Sequence, residues 1–216
     1  MRVLIISGRP GRAAHYIALL ARSVDLVIAA DGGAETAARA GIRPHVLVGD
    51  MDSATLETRR RLVRAGTRLH VVPSAKDLTD TELALALARD RGATDATVVA
   101  ALGGRVDHSL ANLLLPLRAK RWGIRLRVVE GRTHVHLAGT SLMLEGEPGD
   151  VVSLIPLSEV VLDITTTGLR YPLKNDRLVR GGTRGLSNVI VDLPAGLEHV
   201  GKGDLLVVHI QQHLPR

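Results

Sequence analysis

The stretch Val46-Leu47-Val48-Gly49-Asp50-Met51-Asp52-Ser53 decides the fold. An apolar run this short, ending in glycine and two carboxylates, reads as a buried strand running out into a turn. A helix-like segment follows at Leu56–Ala65, and then another apolar run at Leu69–Val72. The same alternation extends in both directions. Strand candidates are Val3–Ile6, Asp25–Ala29, Thr97–Ala100 and Ile124–Val129, and helix candidates are Ala13–Ala21, Ala34–Ala40, Thr79–Arg89 and Ser109–Lys120. Near-continuous apolar strands separated by amphipathic helices predict a parallel sheet covered on both faces. Right-handed crossovers make it a doubly wound α/β sheet.

The pattern changes near Gly131. Beyond Thr133 no long helical period appears, and short alternating runs take over: Thr133–Leu137, Ser141–Leu144, Val151–Ile155, Val160–Thr165, Leu169–Leu173, Asn188–Asp192 and Leu205–Ile210. Turn residues such as Glu147-Pro148-Gly149-Asp150 and Gly181-Gly182 separate them. An antiparallel β-sandwich or small barrel is expected here. The division is into an α/β domain over 1–132 and a β domain over 133–216.

Composition narrows the function classes. The chain has 216 residues, 45% hydrophobic and 23% charged, an ordinary globular balance. It has no cysteine, so disulfides and thiolate metal sites are impossible, which fits a reducing cytoplasm. The amino-terminal run Met1–Gly8 reads as a strand rather than a signal peptide, and no run approaches the ~20 apolar residues of a membrane span. Net charge is +6, from 28 Lys and Arg against 22 Asp and Glu, and arginine is frequent where lysine is rare. With no Phe, one Trp and two Tyr there is no stacking platform, and a nucleic-acid partner is not expected.

The chemistry gathers at strand ends, where open α/β sheets bind ligands. Asp31-Gly32-Gly33 follows one strand, Asp50 and Asp52 another, and Gly103-Gly104-Arg105-Val106-Asp107 a third. A second acidic pair, Asp77 and Asp80, brackets Thr79 beside Lys76 at the start of a helix. Oxygen-only ligands suit a hard cation such as Mg²⁺, which in such clefts arrives with phosphates. Lys76 and Arg105 could neutralise phosphoryl oxygens, and the glycine pairs let backbone approach them. Each feature has a plainer account: Asp50 and Asp52 as an Asx-turn with Ser53 capping the next helix, and Asp77, Asp80, Asp107 and His108 as helix caps.

Some features point elsewhere and are set aside. Gly196 to Gly203 nearly spells a phosphate-binding loop but lacks Ser or Thr after Lys202, and reads as a hairpin turn. His134 and His136 share a strand face without an evident third ligand, and read as exposed strand histidines.

Taken together, the ordered motifs resemble the thiamine pyrophosphokinase family. They are Ala30–Ala34, Gly49–Ser53, Lys76–Glu82, Gly103–His108 with Asn112, and, in the second domain, Thr165–Leu173 and Gly185–Asn188. The resemblance implies an ATP- and Mg²⁺-binding α/β domain and a thiamine-binding β-sandwich, in a cytoplasmic homodimer whose active site is shared between subunits. It implies transfer of the diphosphoryl group of ATP to thiamine, with AMP released. Asp50, Asp52, Asp77 and Asp80 would surround Mg²⁺ and the triphosphate. Asp31, Gly32, Gly33, Ser53, Lys76, Thr79, Gly104, Arg105, Asp107 and Asn112 would hold nucleotide and phosphates, and Tyr171, Ser187 and Asn188 thiamine. The chain departs from the pattern at Ser7-Gly8-Arg9-Pro10, where relatives often carry a glycine pair, and at Val189, where an acidic residue is frequent. A diphosphokinase for another hydroxymethyl heterocycle such as a pterin, or a binding protein without turnover, are the alternatives.

Overall fold

The computed structural model describes residues 1–8, 14–73 and 77–212. The chain forms two compact units, Met1–Gly131 and Arg132–Arg216.

The first unit carries strands β1 (Arg2–Ile6), β2 (Leu26–Ala30), β3 (Val46–Gly49), β4 (Arg68–Val71), β5 (Asp95–Val99) and β6 (Arg125–Glu130). Between them run helices α1 (Ala14–Arg22), α2 (Gly33–Arg39), α3 (Leu56–Arg64), α4 (Asp80–Asp90) and α5 (Val106–Arg121). All strand pairs are parallel, in the order β6-β5-β1-β2-β3-β4. Every residue of β2 and β3 is buried, as a sheet covered on both faces requires. Leu4, Ile6, Val27, Val99 and Val129 pack with Ile17 of α1 and Ala37 of α2, while α4 lies against β1, β2 and β3. The chain winds outward from β1 through β4, then crosses back to β5 on the other side of β1. The carboxyl ends of β1 and β5 therefore diverge around a crevice, the place where such sheets take ligands.

The second unit has two antiparallel sheets. One is β12 (Asn188–Val189), β9 (Val151–Pro156), β14 (Leu205–Ile210) and β7 (Thr133–Leu137); the other is β11 (Asp176–Val179), β10 (Val160–Thr167), β13 (Gly196–His199) and β8 (Ser141–Met143). Val152, Leu154, Leu205 and Val207 from the first sheet share one core with Val161, Ile164, Leu178 and Leu197 from the second. That shared core makes the unit a sandwich.

Three expectations need correction. Gly196–His199 is not a turn but a strand paired on both sides, with the turn confined to the residues before Leu205. Leu169–Leu173 is not a strand: only Leu169 bridges, to Ile190, because Gly168 turns the chain at φ +69°. The paired histidines are half-buried rather than exposed, and His209 of β14 stands opposite His134. The Nε2 atom of His209 instead bonds buried Asp150 at 2.9 Å, and among the described residues no histidine belongs to a metal-spaced group. Among the described residues no helix is long and apolar enough to cross a membrane.

Candidate active site

A cleft of about 240 Å³ opens at the carboxyl edge of the parallel sheet. Four strand ends build it: Ser7 and Gly8 after β1, Asp31 and Gly32 after β2, Ser53 after β3, and Ala100, Ala101 and Gly103 after β5. Thr79, Asp80 and Thr81 enter from the start of α4, and Arg105, His108 and Asn112 from α5. Ser7 and Gly8 thus line the cleft although the glycine pair expected there is absent, and Ser7 Oγ meets Thr81 Oγ1 at 2.5 Å.

Register explains the acidic centre. Ala30 stands beside Val48, so the residues that follow, Asp31 and Gly49–Asp50, emerge as neighbours. Asp31 turns out of its strand at φ 39°, Gly49 at φ 147° and Met51 at φ 67°. A side chain on Gly49 would place its Cβ 2.8 Å from Asp31 Cβ and 3.1 Å from Asp80 Oδ1, so glycine is required there. One carboxylate oxygen from each of Asp31, Asp50 and Asp52 lies within 4.8 Å of the others. Asp50 Oδ1 accepts from the Asp52 N–H at 3.3 Å, so the Asx-turn is real and also aims both carboxylates. Ser53 does not cap α3; Thr55 does, and the Ser53 hydroxyl donates to Asp52 Oδ1 at 2.8 Å.

Asp31 is 4% exposed, its Oδ2 accepts from the Ser53 N–H, and its Oδ1 has no hydrogen-bond partner. Burial pushes its carboxyl above the ordinary range. The Ser53 bonds oppose that shift, while Asp52 and Asp80 add to it. An orphaned buried oxygen in an oxygen-only acidic cluster is the environment a hard divalent cation fits, because the cation supplies the missing partner and cancels the repulsion. Of the acidic residues expected around such an ion, Asp80 lines the cleft together with Asp31, while Asp50 and Asp52 do not line it but bring their carboxylates to Asp31. Asp77 is exposed and does not line the cleft, and Lys76 lies outside the described residues.

On the other wall, Arg105 lines the cleft but is paired with Asp107, its Nη2 at 2.6 Å from Oδ2. The Arg105 bond holds the Asp107 carboxyl down at about 2. Both side chains are well exposed, so water screens the pair and it holds weakly. Thr79 caps α4, accepting from the Glu82 N–H, so neither Asp77 nor Asp80 is the cap. Gly33 is closed off by Ile6, and the Gly103 N–H donates to Ser109 Oγ at 3.1 Å; Gly32 and Gly103 line the cleft, while Gly33 and Gly104 do not. Asn112 Nδ2 donates to the buried Ala101 carbonyl at 2.8 Å.

Two positioning carboxylates carry no motif that marks them in the sequence. Glu35 accepts from the Thr55 N–H and from the hydroxyls of Thr55 and Thr58, tying α2 to the start of α3 below the Asp50 turn. Glu130 Oε2 accepts from the N–H groups of Ala101 and Leu102 at 3.0 and 3.2 Å. Glu130 and Asn112 thus grip the Ala101 peptide groups from both sides and fix the loop that carries Arg105. We expect Glu130→Ala to raise the KM for nucleotide roughly tenfold, the effect of losing bonds to a charged acceptor, with Glu130→Gln restoring most of it. Steady-state kinetics checks this, and an unchanged KM in the alanine variant overturns it.

In the second unit Tyr171 is 65% exposed, and its backbone is clasped by Asn188. The Tyr171 N–H donates to Asn188 Oδ1 at 3.0 Å, and Asn188 Nδ2 donates to the Tyr171 carbonyl at 2.7 Å. Asn188 is buried and Ser187 is exposed at φ 57°.

A family model described as thiamin pyrophosphokinase, catalytic domain, matches residues 17–128. Another, described as thiamin pyrophosphokinase, vitamin B1 binding domain, matches residues 141–195. The thiamine pyrophosphokinase of Bacillus subtilis is 34% identical over 185 residues, covering 85% of this chain and 86% of that protein. A crystal structure of thiamine pyrophosphokinase from Bacillus subtilis matches with TM-score 0.85 at 30% identity, covering 99% and 100% of the two chains. One from Geobacillus thermodenitrificans matches with TM-score 0.79 at 29% identity, covering 97% of each.

Proposed function

We propose that this chain, which belongs to the thiamin pyrophosphokinase family, moves the diphosphoryl group of ATP onto the hydroxyl of thiamine, giving thiamine diphosphate and AMP. The observation that carries the reading is the acidic cluster at the sheet's carboxyl edge: Asp31 lines the cleft with Asp80 and Arg105, and its carboxylate stands within 4.8 Å of those of Asp50 and Asp52 at the rim.

Asp31, Asp50 and Asp52 would hold Mg²⁺, which supplies positive charge to the phosphate oxygens when bound. Asp80 stands beside them. Arg105, leaving Asp107, neutralises the triphosphate from the opposite wall. Ala100, Ala101 and Gly32 keep side-chain bulk out of the floor, so the polyphosphate lies close to backbone. The thiamine oxygen attacks the β-phosphorus as the bond from that phosphorus to the α,β-bridging oxygen breaks. That oxygen leaves on AMP, and a cleft carboxylate takes the hydroxyl proton. Catalysis here is positioning and charge neutralisation.

The second unit, which matches the vitamin B1 binding model, would bind thiamine: Tyr171 offers an exposed ring face, Asn188 holds the Tyr171 backbone, and Ser187 is exposed next in sequence to Asn188. Tyr171→Ala and Asn188→Ala are each expected to raise the KM for thiamine about tenfold, the scale of one aromatic stack, and leave the KM for ATP unchanged. Equal thiamine KM values in variant and parent would remove Tyr171 from the site. The same reading carries a cytoplasmic homodimer, which sedimentation at micromolar concentration tests.

The decisive assay is AMP release from ATP and Mg²⁺ with and without thiamine. AMP formed only with thiamine, in step with thiamine diphosphate, is the expected result; AMP formed only with a pterin alcohol, or none at all, overturns the reading.

A further inference from the structure

The first unit has a second cavity, about 290 Å³, at the opposite edge of its sheet. Leu26, Val46 and Arg68, the first residues of β2, β3 and β4, form its floor. Arg43 and His45 enter from the approach to β3, and Arg91 from the end of α4. Among the described residues no carboxylate lines it.

Its polar side chains present donors. Arg43 is held in place: its Nη1 donates to the Ala65 carbonyl at 2.9 Å and occupies the space beside Gly66, where a Cβ would come within 2.9 Å of that nitrogen. The remaining guanidinium N–H groups of Arg43 stay available. His45 Nδ1 accepts from the Val27 N–H at 2.9 Å. In that tautomer, when the ring is neutral, Nε2 carries the proton, so the ring is also a donor at its far end. The carboxylates next in sequence are engaged elsewhere: Asp25 Oδ2 accepts from the Arg2 N–H at 2.7 Å, and Asp90 Oδ1 takes the Arg89 guanidinium at 2.7 Å. Among the described residues none of the ion pairs engages Arg43, Arg68 or Arg91.

Three solvated arginines on an ordinary surface face would sit apart or beside acids. Here three forks and an imidazole surround one cavity with no acceptor side chain, and one fork is fixed in advance. Planar forked donors match the oxygens of a phosphate group better than those of chloride or a single carbonyl. We propose that this pocket binds the phosphate group of a small anion, at a site separate from the catalytic cleft.

The test is a titration of the full chain with inorganic phosphate at constant ionic strength, followed by backbone amide NMR, with AMP as a second probe. The amides of His45, Gly66 and Arg68 are expected to shift and saturate. Arg68→Gln with Arg91→Gln should weaken that binding roughly tenfold, while Arg105→Gln in the cleft leaves it unchanged. Saturation by AMP at lower concentration than by phosphate identifies a nucleotide phosphate as the ligand; equal or better saturation by phosphate identifies the free anion. Absence of saturable shifts at these amides, equal affinity in the double variant, or loss only in Arg105→Gln overturns the proposal.

Discussion

Asp31→Asn is expected to cost activity about a hundredfold or more while the folded protein becomes more stable. The substitution keeps the shape of the side chain, and asparagine tolerates the left-handed backbone that Asp31 adopts at φ 39°. What it removes is one charge from the cluster with Asp50 and Asp52, and with it one anionic ligand. The stability gain follows from the direction of the shift at Asp31. Burial raises its carboxyl above the ordinary range, and contact with the Asp52 side chain and the charge of Asp80 add to the shift. The folded state therefore binds that proton more readily than the unfolded state, and stability falls as pH rises from the unfolded pKa through the folded one. The ionised aspartate carries that cost, and the amide carries none. Thermal unfolding should show a higher Tm for the variant at neutral pH, with the difference shrinking in acid. A variant that turns over normally would take Asp31 out of the metal set. A variant that loses both activity and stability would make Asp31 a structural residue instead.

Gly33→Ala is expected to destabilise the first unit by roughly 3 kcal/mol or more, or to prevent folding. The first turn of α2 lies directly on the end of β1, and an added Cβ would sit 1.9 Å from the Ile6 carbonyl oxygen. Ile6 is fully buried in the central strand, so neither partner has room to yield. Strain in the backbone angles is not the cause, because Gly33 is helical. Gly41→Ala separates the two effects: its φ is +67° but nothing lies within 4 Å of the added atom. It should cost only about 1 kcal/mol. Chemical denaturation of both variants measures the contrast, and a Gly33→Ala loss no larger than that of Gly41→Ala would refute the packing argument.

The first unit was legible because its strands are buried on both faces and its helices are periodic, so the pattern of apolar residues carries the architecture. Boundaries moved where local signals are silent. Helix α5 begins at Val106, three residues before the expected Ser109, because its amino-terminal position, Arg105, makes no side-chain cap. In the second unit β11 went unread: of Asp176–Val179 only Leu178 is buried, and the rest looks like a charged turn. Strand β13 was masked by its opening glycine, whose lack of a side chain is required by the Leu142 carbonyl 2.7 Å from where a Cβ would stand.

By itself the sequence determined the α/β class, the change to a β-rich half, the strand ends that carry chemistry, and most of the cleft's acidic and basic residues. Those follow from period and from residue type, which are local properties. Only the tertiary structure decided that Asp31 belongs with Asp50 and Asp52, that Asp77 stands outside the cleft, that Glu130 and Asn112 hold one loop, and that Arg43, Arg68 and Arg91 surround one cavity. Each of these depends on strand register or on the packing of segments far apart in the chain. The pairing of Ala30 with Val48 is what makes neighbours of two carboxylates separated by an entire helix.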